Sequence, residues 1–175
     1  DEHLPENLKG LILGGGYPEL NARELEANVS MREDIHRALN DGMPCLAECG
    51  GFMYLHDEME AMDGNSYHMT GVISGRAYRT QRLNRFGYVT LTQKKEVLGM
   101  NDMGGIPAHE FHYFDSENCG DDFDAKKPAS HRKWNCIHGT DTMMAGFPHL
   151  YFYGNPKVPE AFLRKCSQYG RQDAR

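Results

Sequence analysis

The run Leu46-Ala47-Glu48-Cys49-Gly50-Gly51 places a nucleophilic side chain beside two residues that lack one. A thiolate attacks carbonyl carbon, so the chemistry on offer is acyl transfer through a covalent thioester. A nucleophile between a strand and a helix sits on a sharp turn with strained backbone angles. Such a turn needs very small residues next to it, so that a neighbouring segment can approach. Gly50 and Gly51 meet that need. A following helix would aim its N-terminal dipole and free N–H groups at the sulfur, favouring thiolate, and the same N–H groups could hold an oxyanion. A packed, inert cysteine ahead of a glycine turn would carry the same letters. Cys49 therefore has to be judged by its partners.

The first partner is the loop Gly14-Gly15-Gly16-Tyr17-Pro18-Glu19, which follows the apolar run Leu11-Ile12-Leu13. In a parallel sheet the carboxyl ends of neighbouring strands share one crevice, so Gly15 and Gly16 could supply backbone donors opposite Gly50 and Gly51. The loop matches neither GxxxxGK[ST] nor GxGxxG, which argues against a phosphate or dinucleotide site. The second partner is a base, sought among nine histidines. His149, at the start of the apolar stretch His149-Leu150-Tyr151-Phe152, is the candidate, because a late strand can return to the same end of the sheet. His109 and His112, in His109-Glu110-Phe111-His112-Tyr113, are rivals. Their spacing is not HExxH, and on a strand they point to opposite faces, so a metal site there is not expected. His131, His138, Cys119 and Cys136 could gather only by accident of a loop. No metal site is predicted.

These residues need elements to hold them. Leu11–Leu13 and Cys45–Ala47 read as buried strands. Leu25, Val29, Ile35 and Leu39 predict one helix from Asn21 to Asn40, with Asn21 as N-cap, Glu24 three residues on, and Gly42 and Pro44 as the stop. A second helix is predicted from Phe52 to Met59. Strands alternating with helices predict a parallel sheet covered on both faces. Beyond Gly64 the pattern turns β-rich, with strands at Val72-Ile73, Phe86 to Thr92, Phe111 to Phe114, Trp134 to Ile137 and His149 to Tyr153. Asp115 to Lys133 reads as a polar surface loop. A short helix opens at Pro159 and carries Ala161, Phe162 and Leu163. The division expected is one domain over 1–166 and a polar, unstructured tail over 167–175.

Composition narrows the rest. With 39% hydrophobic and 25% charged residues the chain can fold, and a net charge of −6 without a basic stripe argues against nucleic acid. No apolar run is long enough to cross a bilayer, so no membrane partner is expected. Five scattered cysteines without a CxxC pair read as free thiols, which places the protein in the cytoplasm. The start, Asp1-Glu2-His3-Leu4-Pro5, has no signal-peptide character and no initiating Met, and reads as a domain taken from a longer protein.

Taken in order, Gly14-Gly-Gly-Tyr-Pro-Glu19, Ala47-Glu-Cys-Gly-Gly51 with Met53-Tyr-Leu55, Arg85-Phe-Gly-Tyr88 and His109-Glu-Phe-His-Tyr113 make a signature. From about Leu8 to Phe162 the chain resembles the C-terminal glutamine amidotransferase domain of the cobyrinic acid a,c-diamide synthase family. The resemblance implies a flavodoxin-like three-layer α-β-α sandwich with a mainly parallel central sheet. It implies glutamine hydrolysis by a dyad of Cys49 and His149, with ammonia passed to an ATP- and Mg²⁺-dependent ligase domain or subunit that this chain does not contain. No cofactor is implied in the chain itself. Tyr17, His109, Glu110, His112 and Tyr113 become candidate substrate or interface residues, and homodimer formation is left open. The glutamate that other class I enzymes keep two places after the histidine is absent, since Tyr151 stands there. Pro107-Ala108, Pro148 and Tyr151 are departures from the family pattern that leave both dyad positions in place. Two other readings remain: a module that binds glutamine or a partner without turnover, and a cysteine hydrolase acting on another amide or ester.

Overall fold

The computed structural model describes residues 1–172; the last part of the predicted tail, 173–175, lies outside them. The chain runs β1 (Leu11–Leu13), a 3₁₀ turn (Pro18–Leu20), α1 (Ala22–Ala27), α2 (Val29–Asn40), β2 (Cys45–Glu48), α3 (Gly50–Tyr54), β3 (His56–Glu60), β4 (Ser66–His68) and β5 (Ile73–Gln93). It continues through β6 (Ile106–Ser116), β7 (Phe123–Lys126), β8 (Lys133–Cys136), β9 (His138–Gly139), β10 (Met143–Gly146), β11 (His149–Leu150), a 3₁₀ turn (Phe152–Gly154) and α4 (Lys157–Gln172). No helix is long and apolar enough to cross a membrane among the described residues.

This is an α/β fold with two sheets. The first has the order β1-β2-β10-β9, and β1 and β10 both run parallel to β2. The second follows β11-β6-β5-β3-β4, with β7 and β8 added at β5. Among the described residues, parallel pairing is confined to β1–β2, β2–β10 and β3–β5. The antiparallel β5–β6 ladder dominates the second half, so in the second sheet parallel order is limited to the β3–β5 pair.

Strand β2 shows why that core forms. Cys45 and Ala47 join one apolar cluster with Ile35, Leu39 and Phe52, whereas Leu46 joins another with Val158, Ala161 and Phe162. Alternate side chains thus bury on opposite faces, one toward α2 and α3 and the other toward α4. A continuous apolar run is what such a strand requires.

Several predicted elements are redrawn. The helix expected over Asn21 to Asn40 is broken at Asn28, whose side chain accepts the Met31 N–H (3.3 Å) and caps α2. A short polar side chain competing with the ladder explains the break. Asn21 makes no capping bond with its side chain. The helix expected over Phe52 to Met59 stops at Tyr54, because His56–Glu60 is drawn into parallel pairing with β5 and buries His56 and Met59. The loop expected over Asp115 to Lys133 holds the end of β6, all of β7 and the first residue of β8, with Phe123 and Ala125 fully buried. The strand expected from His149 to Tyr153 ends at Leu150. Residues 167–172, assigned to an unstructured tail, continue α4. The apolar series Val158, Ala161, Phe162, Cys166 and Tyr169 keeps helical spacing and lies on the core, whereas Leu163 is exposed.

Candidate active site

Cys49 lies between β2 and α3 with φ 49° and ψ −104°, a left-handed angle that costs a side-chain-bearing residue about 1–3 kcal/mol. Tight packing holds the bend. A Cβ on Gly51 would collide with Leu13 O and lie 2.7 Å from Leu13 Cβ, and one on Gly50 would lie 2.7 Å from Gly16 O. The Cys49 N–H is donated to Gly146 O (2.9 Å) and the Gly51 N–H to Gly14 O (3.1 Å). Gly51 therefore serves close approach, and its donor is committed. Helix α3 is only five residues long, so its dipole is small.

His149 begins β11 and reaches the bend from the other sheet. Gly15 leaves room for that ring: a Cβ there would run into His149 Cε1 and lie 3.2 Å from Nδ1, so the imidazole would have to move. The ring faces the Cys49 side chain and, at Nδ1, Glu48 Oε2 at 3.6 Å, an ion-pair separation rather than a formed hydrogen bond. Cys49 first, then Glu48, hold the imidazole at about 10, against the desolvation that half-burial imposes. Because the folded value exceeds the ordinary 6.5, the stabilisation is complete below pH 6.5 and fades as pH rises through about 10. In an NMR titration, His149 is expected to remain imidazolium at pH 8 and to titrate at lower pH in Cys49→Ala. A wild-type midpoint near 6.5 would contradict this geometry.

A pocket of about 380 Å³ opens over the bend, lined by Gly15, Gly16, Tyr17, Glu19, Cys49, Met53, His109, Phe111, His112, Tyr113, Phe114 and His149. Gly50 and Gly51 line a neighbouring hollow behind the glycine loop. Most of the residues nominated from the sequence thus converge, and Glu110 does not. It is fully buried, accepting the Trp134 indole N–H (3.1 Å) and facing His112 Nε2 (2.8 Å). His112 Nδ1 lies 2.6 Å from Phe114 O, an acceptor only, so that nitrogen carries a proton. The ring stacks on Phe147 at 4.0 Å between centroids. This alternate face of β6 braces the pocket from beneath. His109, the cross-strand neighbour of His149, packs its ring between Phe86 and Tyr88.

Among the described residues, no three His, Cys, Asp or Glu side chains gather as metal ligands. His138 faces Asn118 O (2.9 Å), whereas Cys119 faces Asp115 (3.2 Å) and Arg85 (3.4 Å). Glu48 and Glu19 were not nominated from the sequence. The available signal was a carboxylate closing an apolar strand for Glu48, and the motif's last residue for Glu19.

Residues 1–156 match the family model described as a CobB/CobQ-like glutamine amidotransferase domain. The chain belongs to that family. Cobyrinate a,c-diamide synthase of Caldanaerobacter subterraneus subsp. tengcongensis is 37% identical over 98% of this chain and 38% of its own length. The enzyme of that name from Picrophilus torridus is 38% identical over 95% and 36%, and that from Fusobacterium nucleatum 39% over 91% and 35%. The chain thus spans under two fifths of the length of these relatives. A crystal structure of a protein described as a GMP synthase subunit, from Thermoplasma acidophilum, aligns with TM-score 0.53 at 17% identity, covering 97% of this chain and 78% of that one. That likeness concerns fold alone.

Proposed function

We propose that the chain hydrolyses glutamine through Cys49 and His149 and supplies ammonia to an ATP- and Mg²⁺-dependent ligase. By analogy with the relatives, that ligase would amidate the a and c carboxylates of cobyrinic acid in the cytoplasm. The observation that carries this reading is a strained cysteine facing a histidine held protonated, at the floor of a pocket large enough for an amino acid. The fold reading that goes with it is a flavodoxin-like three-layer core, supported by β1-β2-β10 with helices on both faces, onto which the β5–β6 ladder is grafted.

The proton sits on His149 before the substrate arrives. Sulfur attacks the carboxamide carbon, and the oxyanion is held by N–H groups of Gly50 and the Gly15–Gly16 loop, each worth about 3–4 kcal/mol by the measure of other acyl-transfer sites. The tetrahedral adduct expels ammonia as His149 gives its proton to the leaving nitrogen. Neutral His149 then takes a proton from water, hydroxide adds to the thioester, and glutamate leaves with Cys49 and His149 returned to their starting states. Glu19, the acidic side chain of the pocket, is placed to meet the substrate ammonium. Burial pushes its carboxyl up, and a cation would reverse that.

A chloroketone analogue of glutamine is expected to alkylate Cys49 in the intact enzyme, with free glutamine protecting it. Cys45, fully buried and with its thiol pushed up to about 12, is expected to stay unmodified. Modification at Cys45 alone, or none that glutamine blocks, would refute the assignment. The nearness of Cys49 and His149 in one pocket favours this reading over a module that binds without turnover.

A further inference from the structure

The relevant geometry lies where the two sheets meet. Strand β10 ends at Gly146, which pairs with Glu48 in the parallel ladder. The chain then turns through Phe147 and Pro148 and crosses back over the end of β2. There one carboxylate oxygen of Glu48 accepts the Leu150 N–H (3.0 Å) while the other faces His149 Nδ1 (3.6 Å). The Glu48 side chain is only 18% exposed. Tyr151, two residues past the histidine, is exposed, its ring near that of Tyr153.

We infer that Glu48 is the positioning carboxylate of this site, fixing both the backbone and the ring of His149 from the residue directly before the nucleophile. The inference rests on the proposed Cys49–His149 reaction and extends it. The Nδ1 nitrogen is turned toward the carboxylate. A carboxylate there selects the ring's orientation and stabilises the imidazolium, as an orienting acid does in other nucleophile–histidine sites. The backbone contact adds a second constraint. Strand β11 has only two residues, and Glu48 ties it to β2 across the gap between the sheets. Nucleophile and positioning acid are therefore consecutive residues on one bend.

Glu48→Gln separates the two roles, since its amide oxygen can still accept the Leu150 N–H while the charge is lost. In the full-length enzyme the variant is expected to lower kcat for glutamine hydrolysis by on the order of 100-fold, with KM changed less than about twofold. The effect is smaller than the ~10⁴-fold loss for a buried, hydrogen-bonded aspartate, because Glu48 stands 3.6 Å from the ring. The His149 midpoint is expected to move down, and the alkaline limb of the pH–rate profile with it. Ammonia-dependent synthesis, which needs the folded enzyme but not the dyad, is expected to be unchanged. If Glu48→Gln fails that control, Glu48→Asp, which keeps the charge but shortens the reach to both partners, is expected to lower kcat with ammonia-dependent synthesis unchanged, and wild-type kcat there would overturn the inference. Wild-type kcat with an unmoved His149 midpoint would overturn the inference. Should Cys49→Ala be inactive while Glu48→Gln is normal, the role of Glu48 alone falls. Should Cys49→Ala keep glutaminase activity, the underlying reaction falls with it.

Discussion

Cys49→Ala in the full-length enzyme is expected to cut glutamine-dependent amidation by about 10⁴-fold or more while sparing amidation from added ammonium. The size follows from what one atom does. Without sulfur there is no thioester, and no tetrahedral adduct forms whose leaving nitrogen His149 could protonate. The oxyanion donors and the pocket remain, which is why substrate binding is expected to survive. Glutamine should still protect the pocket residue Tyr113 from chemical modification, since that ring lines the cavity without touching the reaction. Loss of both ammonia- and glutamine-dependent activity would instead mean that the substitution had disturbed the fold. Retained glutaminase would mean that another residue carries the attack.

The next largest effect is expected from a single methyl group. In Gly51→Ala the new carbon would meet Leu13 O, with Leu13 C at 2.5 Å and Leu13 Cβ at 2.7 Å. These are mostly backbone atoms of β1, which pairs with β2 through Leu13↔Ala47, so relief requires either strand to shift. Forced overpacking of this kind costs about 1–3 kcal/mol, to be read as a lowered urea midpoint with the slope unchanged. Glutaminase is expected to fall by at least about 100-fold, since a shift of an ångström at the bend misplaces the sulfur. Gly14→Ala is the matched control. Nothing lies within 4 Å of its added carbon, and both stability and activity are expected near wild type.

What could be foreseen from the letters was the chemistry-bearing bend. Cys49, the glycines at 15, 16, 50 and 51, and His149 announce themselves by type and order, because strained turns and close approaches admit few residues. Glu48 did not, although it precedes the cysteine. Its partner is the Leu150 N–H, separated by 102 positions, and only the reversal after Gly146 brings the two together. The redrawn elements share that cause. His56-Asp57-Glu58-Met59-Glu60 has no strong strand preference and becomes β3 because β5 offers it a ladder. Strand β5 itself is interrupted by register shifts around Asn84, with Arg85 and Gly87 at positive φ, which hid one long strand behind a polar run. Parallel order was over-extended because the early strand–helix alternation does not persist past Gly64.

Cys49 follows β2 of the first sheet and His149 opens β11 of the second, and Phe147 and Pro148 join β11 to β10, the parallel neighbour of β2. Phe147 is buried, edge-on to Phe52 and flat against His112, so it packs against elements of both halves. The sulfur-to-imidazole separation is consequently a gauge of how one half leans on the other. A neighbour pressing on the β5–β6 ladder would alter reactivity without touching either reacting atom.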